Sequence, residues 1–140
     1  MIKLSRLTDY AVVVLAEMAR VQTRAKGELM AASTLSVKTG IPEPTVAKVL
    51  KTLSRNGLIV SVRGVAGGYR LERAAGDIPV SLIIAAMEGP ISLTSCVSGS
   101  NEACALEGKC SMHGRWNPVN AAIQGALDKV TLADMNMGRM

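Results

Sequence analysis

The stretch STLSVKTGIPEPTVAKVLKTLSRNGLIVSVRGVAGGYRLER, residues 33–73, carries the pattern that decides the fold. It opens as a short helix, with Ser33 as N-cap, Leu35 and Val37 as apolar contacts and Gly40 as C-cap. Gly40-Ile41-Pro42 turns the chain, and a second helix starts at Glu43-Pro44. Proline suits the first helical turn, and the carboxylate suits the positive end of the helix dipole. Val46, Val49, Leu50 and Leu53 recur at spacings of three and four and form the inner face of this helix. At 100° per residue, Pro44, Lys48, Lys51 and Arg55 fall together on the opposite face. Asn56-Gly57 closes the helix. Leu58–Val62 and Tyr69–Glu72 then read as two strands joined by the glycine-rich segment Arg63–Gly68.

Two short helices, a tight turn and a hairpin form the order of a winged helix-turn-helix, whose second helix enters the DNA major groove. Thr45 and Lys48 lie near the N-terminal end of that helix, where they meet base edges, whereas Lys51 and Arg55 suit phosphates. An ordinary solvated helix face is the alternative, and the hairpin tip shifts the balance. There Arg63 is followed by Gly64, Gly67 and Gly68 before Tyr69, so that backbone can approach a phosphate or groove wall while one guanidinium projects. A nucleotide-binding glycine loop would have to precede a helix N-terminus, and these glycines precede a strand.

Upstream, Leu7, Tyr10, Val14, Met18 and Val21 mark an amphipathic helix of about four turns, with Thr8 placed to cap it and Asp9 in its first turn. Downstream, Ile78-Pro79-Val80 starts a helix whose apolar side is Leu82, Ile83, Ala86 and Met87, expected to pack beneath the wing and stopped by Gly89-Pro90. Residues 92–114 lose all periodicity and gather Cys96, Cys104 and Cys110, and a long loop of this kind is usually functional or disordered. Asn117-Pro118 supplies an N-cap and first-turn proline for a final helix carrying Val119, Ile123, Ala126, Leu127 and Val130. That stripe has to be buried, and a second subunit is the expected place for it, with packing on its own domain as the alternative. The expected architecture is mainly α: a winged helix-turn-helix over residues 1–90, a cysteine loop over 91–116, and a long dimerisation helix and tail over 117–140.

Charge divides the chain in the same way. Residues 1–73 hold twelve Lys and Arg against five Asp and Glu, while residues 74–140 hold four against six. The basic half suits a polyanionic partner. No apolar run approaches the length needed to cross a bilayer, and the N-terminus has neither the apolar region nor the cleavage site of a secretory signal, so a cytoplasmic location is expected. In that reducing compartment, three cysteines are not a disulfide framework. With one histidine and no compelling acid–base pair or activated nucleophile, catalysis is not expected.

Cys96, Cys104 and Cys110 fall within fifteen residues of polar sequence, where thiolates can converge without the constraints of a helix or strand. Such soft ligands suit an iron–sulfur cluster or zinc, and His113 would complete a Cys3His zinc set. A single cysteine is more often a small buried hydrophobe, but three in so apolar-poor a segment are not. Spacing alone leaves both metals open.

Leu7-Thr8-Asp9-Tyr10-Ala11, Gly57-Leu58-Ile59, Ser61-Val62-Arg63-Gly64 and Gly67-Gly68-Tyr69-Arg70-Leu71 resemble the Rrf2 family of bacterial regulators, which includes IscR, NsrR and RirA. The resemblance covers nearly the whole chain. Glu88-Gly89-Pro90, the cysteine loop, Gly114, Trp116 and Val130–Met135 look closest to the branch that regulates the SUF system of iron–sulfur cluster assembly. The resemblance implies a homodimer with a long C-terminal helix, operator DNA as partner, and a two-iron or four-iron cluster held by the three cysteines. It offers either His113 or Asp9 of the other subunit as fourth ligand. The function it implies is cluster-sensing control of transcription, with repression the expected sense. A nitric-oxide or general iron signal is the alternative within the family. An iron–sulfur electron carrier or a zinc-stabilised interaction module is the alternative outside it, and neither explains the stripe Lys48, Lys51, Arg55 together with Arg63.

Overall fold

The computed structural model describes residues 2–106 and 108–137. Helices α1 (Arg6–Arg24), α2 (Ala32–Thr39) and α3 (Glu43–Arg55) precede an antiparallel hairpin of β1 (Ile59–Val62) and β2 (Gly68–Leu71). A single 3-10 turn, Ala75–Asp77, leads into α4 (Val80–Glu88), and after the cysteine loop come α5 (Asn117–Lys129) and α6 (Leu132–Met137). The hairpin register pairs Ile59 with Leu71 and Val62 with Gly68. Met30 adds a third, one-residue rung, exchanging two 2.9 Å backbone hydrogen bonds with Tyr69. The mainly helical winged fold expected from residues 33–73 is the observed one.

α3 follows its periodicity. Val46, Val49, Leu50 and Leu53 are all fully buried, each contributing roughly 1.5 to 3 kcal/mol of apolar burial. Gly40 ends α2 in the left-handed region, φ 80°, where a Cβ would be strained, and its N–H bonds Ser36 O at 2.9 Å. Ile41 is buried in the turn, and Ser36 Oγ donates to its carbonyl at 2.6 Å. These contacts fix the angle between α2 and α3.

Several local expectations are corrected. α2 starts one residue before Ser33, after Ala31 as N-cap, and no side chain caps it. The chain enters α2 from the Met30 rung, a pairing with a residue far along the sequence, so no local cap is required. Val37, expected in the core, is 85% exposed, because a two-turn helix buries only Leu35. The cap of α1 is Ser5, whose Oγ accepts the Thr8 N–H at 3.1 Å, while Thr8 lies inside the helix and is fully buried. α4 packs chiefly on α1, α5 and α3 instead of beneath the wing, and it buries Ile84 as well as Ile83, leaving Leu82, Ala86 and Met87 half-buried. Asn117 does not cap α5. Trp116 occupies that position, and the Asn117 side chain accepts the Ser98 N–H at 2.9 Å.

The C-terminal segment is two helices. α5 stops at Val130, where the chain runs extended beside Pro79: Val80 N–H bonds Val130 O at 2.7 Å and Leu132 N–H bonds Ile78 O at 2.8 Å. Thr131 and Asp134 then cap α6 reciprocally, and α6 lies on α1. Leu132 is fully buried in the same core as Leu15, Leu50, Leu53 and Ile83. One core therefore unites the reading head with the chain's end. Gly138 and the two residues after it, the last of the expected tail, lie outside the described residues.

Candidate nucleic-acid interface and cysteine loop

Burial of one face of α3 leaves Pro44, Lys48, Lys51 and Arg55 exposed on the other, with Thr45 half-buried at its start. Arg63 is exposed at the hairpin tip. Among the described residues the only ion pair is Arg20 with Glu17, 2.6 Å apart, so no carboxylate within 4.0 Å neutralises these cations. Their charge is available to an external polyanion.

The hairpin holds Arg63 in place through its glycines, for a reason the sequence did not disclose. A Cβ on Gly67 would lie 2.1 Å from Val62 O, and a Cβ on Gly68, at φ 155°, would lie 2.9 Å from the Met30 backbone. Gly67 is closed by the hairpin itself and Gly68 by the Met30 rung, before any phosphate approaches. Gly64, at φ 117°, faces open space and is required by its conformation alone. Gln22 Oε1 accepts the Leu71 N–H at 2.8 Å and ties the base of the wing to α1.

Two features of this side escaped the sequence reading. Val65 is wholly exposed at the wing tip beside Arg63. Lys26, Arg70 and Arg73, together with Glu72, line a cleft of about 510 Å³ between the end of α1 and the strand β2. Neither has a periodicity signal: Val65 lies in a turn, and the cleft depends on how β2 is set against α1.

The cysteine loop has two unlike limbs. In the first, Val97 is buried, and the carboxamide of Asn120 grips the backbone: Oδ1 accepts the Leu93 N–H at 2.9 Å and Nδ2 donates to Ile91 O at 3.1 Å. Asn117 holds Ser98. Cys96, half-buried, sits between these attachments with Sγ 3.2 Å from Thr94 Oγ1. The second limb carries half-buried Cys104, exposed Cys110 and exposed His113, and is organised by local turns such as His113 N–H to Cys110 O at 3.2 Å. Asp9 is exposed at the start of α1, where with Lys3, Arg6 and Glu88 it lines an open cleft of about 850 Å³. Among the described residues no three of His, Cys, Asp and Glu are gathered closely enough to hold a metal ion. The donor set fits a thiolate-bound metal in kind, but the loop would have to close to assemble it.

Residues 4–137 match the sequence profile of the Rrf2 family, described as an iron-dependent transcriptional regulator. The chain belongs to the Rrf2 family. It is 33% identical over 101 residues to the HTH-type transcriptional regulator IscR of Serratia proteamaculans, a match covering 72% of this chain and 60% of that protein. The IscR of Photobacterium profundum is also 33% identical over 101 residues, 72% of this chain and 58% of that one. The matched part of this Rrf2 chain thus spans about three-fifths of the length of these curated relatives. Among solved structures, T. potens IscR superposes with TM-score 0.67 at 28% identity, covering 96% of this chain and 85% of that one. CymR, the global cysteine regulator of B. subtilis, shares the fold over the full length of both chains, with TM-score 0.75 at 24% identity. The family is one of transcriptional regulators, not of enzymes.

In this Rrf2 chain, the helix expected to dimerise presents a divided stripe. Ile123 and Leu127 are half-buried, while Val119, Ala126 and Val130 are exposed. Ala122 is exposed too, and its spacing places it on the same outer face as those three. On the inner side Ser81 Oγ donates a hydrogen bond to Asp128 Oδ1, and Gln124 Nε2 donates to the same oxygen at 2.9 Å. These bonds hold the Asp128 carboxyl below its ordinary range, the Ser81 contact most of all. α5 is thereby fastened to α4 on one side and open on the other.

Proposed function

We propose that the protein is a cytoplasmic, homodimeric Rrf2 regulator that binds palindromic operator DNA and represses iron–sulfur assembly genes of the SUF type, with an iron–sulfur cluster as its sensory group. The observation that carries the DNA-binding part is the placement of Lys48, Lys51 and Arg55 on the outer face of a helix whose inner face is fully buried, beside a wing bearing Arg63. Thr45 and Lys48 are assigned to base edges, and Lys51, Arg55 and Arg63 to phosphates and groove walls. Pro44 starts the helix at the groove. Gly64, Gly67, Gly68 and Tyr69 shape the wing that carries Arg63.

Cys96, Cys104 and Cys110 are assigned as cluster ligands, with Asp9 of the other subunit or His113 as the fourth. When bound, the cluster would make the protein's state depend on iron supply and oxidants. The chain's own part is to hold Cys96 on a fixed limb and to leave Cys104 and Cys110 on a limb that can close. The outer face of α5, including Val119, Ala126 and Val130, with Ile123 and Leu127 at its edge, is assigned to the dimer contact. Two symmetry-related heads would then address two half-sites one helical turn apart.

An electrophoretic titration on duplex DNA from upstream of the gene tests the DNA-binding assignment. The wild type is expected to bind with steep salt dependence, and the triple substitution Lys48→Ala, Lys51→Ala, Arg55→Ala to lose affinity and flatten that dependence. Equal binding by both proteins would remove α3 from the interface.

A further inference from the structure

The described residues contain three buried polar side chains, Thr8, Ser81 and Asn120, and each lies at a seam between the cysteine loop, its flanking helices and the head. Thr8 joins α1 to the end of α4, and Ser81 joins α4 to α5. Asn120 differs from both, because both ends of its carboxamide bond to backbone. A 9% exposed amide that accepts from Leu93 N–H and donates to Ile91 O satisfies its polar groups on one short length of chain, at the start of the limb that carries Cys96. Three residues earlier, one turn along the same helix, Asn117 takes the Ser98 N–H. Cys96 is thus bracketed by two amides of α5, with Val97 buried next to it.

The rest of the loop is held differently. Ser95 Oγ reaches Glu102 at 3.3 Å, but no side-chain hydrogen bond among the described residues ties residues 103–113 to α5 or to the head. Among the described residues, the backbone hydrogen bonds around Cys110 are local turns, such as Cys110 N–H to Leu106 O at 3.1 Å.

We propose that Asn120 is the positioning residue of the cysteine loop, fixing the Cys96 limb to α5 so that Cys96 is a pre-set donor toward which Cys104 and Cys110 close. The inference deepens the reading of the loop as a cluster site and rests on it for the word donor. The clamp itself does not.

The test uses the full chain without a cluster, under anaerobic conditions, with iodoacetamide as probe and mass spectrometry to follow each cysteine. In the wild type Cys96 is expected to react far more slowly than Cys110. Asn120→Ala removes both hydrogen bonds and should speed Cys96 alkylation about tenfold, with Cys104 and Cys110 unchanged. Asn117→Ala, which removes one bond at a half-buried site, should speed it about threefold and serves if Asn120→Ala does not fold. Unchanged Cys96 reactivity in whichever of these variants folds would overturn the clamp, since a role confined to helix stability would slow or speed no single thiol. Reconstitution of the wild type with iron and sulfide separates the two ideas. If no visible chromophore forms while the thiol pattern holds, the cluster reading fails and the clamp stands; if the chromophore forms and the pattern does not, the reverse is true.

Discussion

Thr8 and Glu88, eighty residues apart in sequence, meet with Thr8 Oγ1 donating to Glu88 Oε2 at 2.6 Å. The same carboxylate oxygen accepts the Ser5 N–H at 3.2 Å, so one side chain at the end of α4 holds both the cap and the first turn of α1. This is also the turn that bears Asp9. Thr8→Val keeps the shape of the buried side chain and removes the hydroxyl. The expected cost is about 1 to 2 kcal/mol, as for a hydrogen bond to a charged group whose acceptor remains partly solvated. Chemical denaturation of the wild type and the variant measures it, and no change in midpoint would show that Glu88 is not a tether.

Asp128 makes the attachment of α5 to α4 dependent on pH. Its carboxyl is held below the ordinary range by Ser81 and then Gln124, so the folded state binds the proton less readily than the unfolded chain. The stabilisation is therefore fully present above the ordinary carboxylate range, near pH 4, and is lost as pH falls through the lowered folded value. Asp128→Asn should melt lower than the wild type at neutral pH, and the difference should shrink on acidification below about pH 4. A difference in Tm that stays constant across that interval would contradict the charge-assisted bond.

Gly67 has no room for a methyl group. Gly67→Ala should distort the wing and weaken DNA binding at least as much as Arg63→Ala, because it displaces the arginine instead of truncating it. The clash is with hairpin backbone, so thermal stability should fall as well, by roughly 1 to 3 kcal/mol. Gel-shift titration and a thermal melt check the two halves, and full DNA affinity in Gly67→Ala would mean that the wing does not reach the duplex.

The parts of the fold that were legible in the sequence are those set by local chemistry. Val46, Val49, Leu50 and Leu53 repeat with the helix period and are all buried, and Gly40 stands where only a left-handed residue ends a helix. The parts that were missed depend on distant partners. Thr8 looked like a cap because its partner Glu88 is eighty residues away. Ser33 looked like a cap because nothing local shows that Met30 pairs with Tyr69 and delivers the chain into α2. The segment after Val130 read as a tail, and α6 was missed, because the Pro79–Thr131 bridge that ends α5 and sends Leu132 into the core joins two segments separated by the entire cysteine loop. At the candidate site, the exposed cations of α3 followed from periodicity. The clamp at Asn120 could not, because an asparagine inside a helix carries no signal of the backbone it binds.

Ala126 lies on the outer face of α5 with Val119 and Val130, and a charge there would be desolvated in a dimer and harmless in a monomer. Ala126→Glu should shift the proposed dimer toward monomer in analytical ultracentrifugation while leaving the helical circular dichroism unchanged. An unaltered dimer would place the subunit contact elsewhere.

In the proposed regulator, cluster occupancy changes how tightly the two heads hold DNA. The direct measurement is an anaerobic titration of one upstream duplex with the same protein before and after cluster removal, at a single salt concentration. Different dissociation constants are expected for the two states; equal constants would contradict cluster sensing.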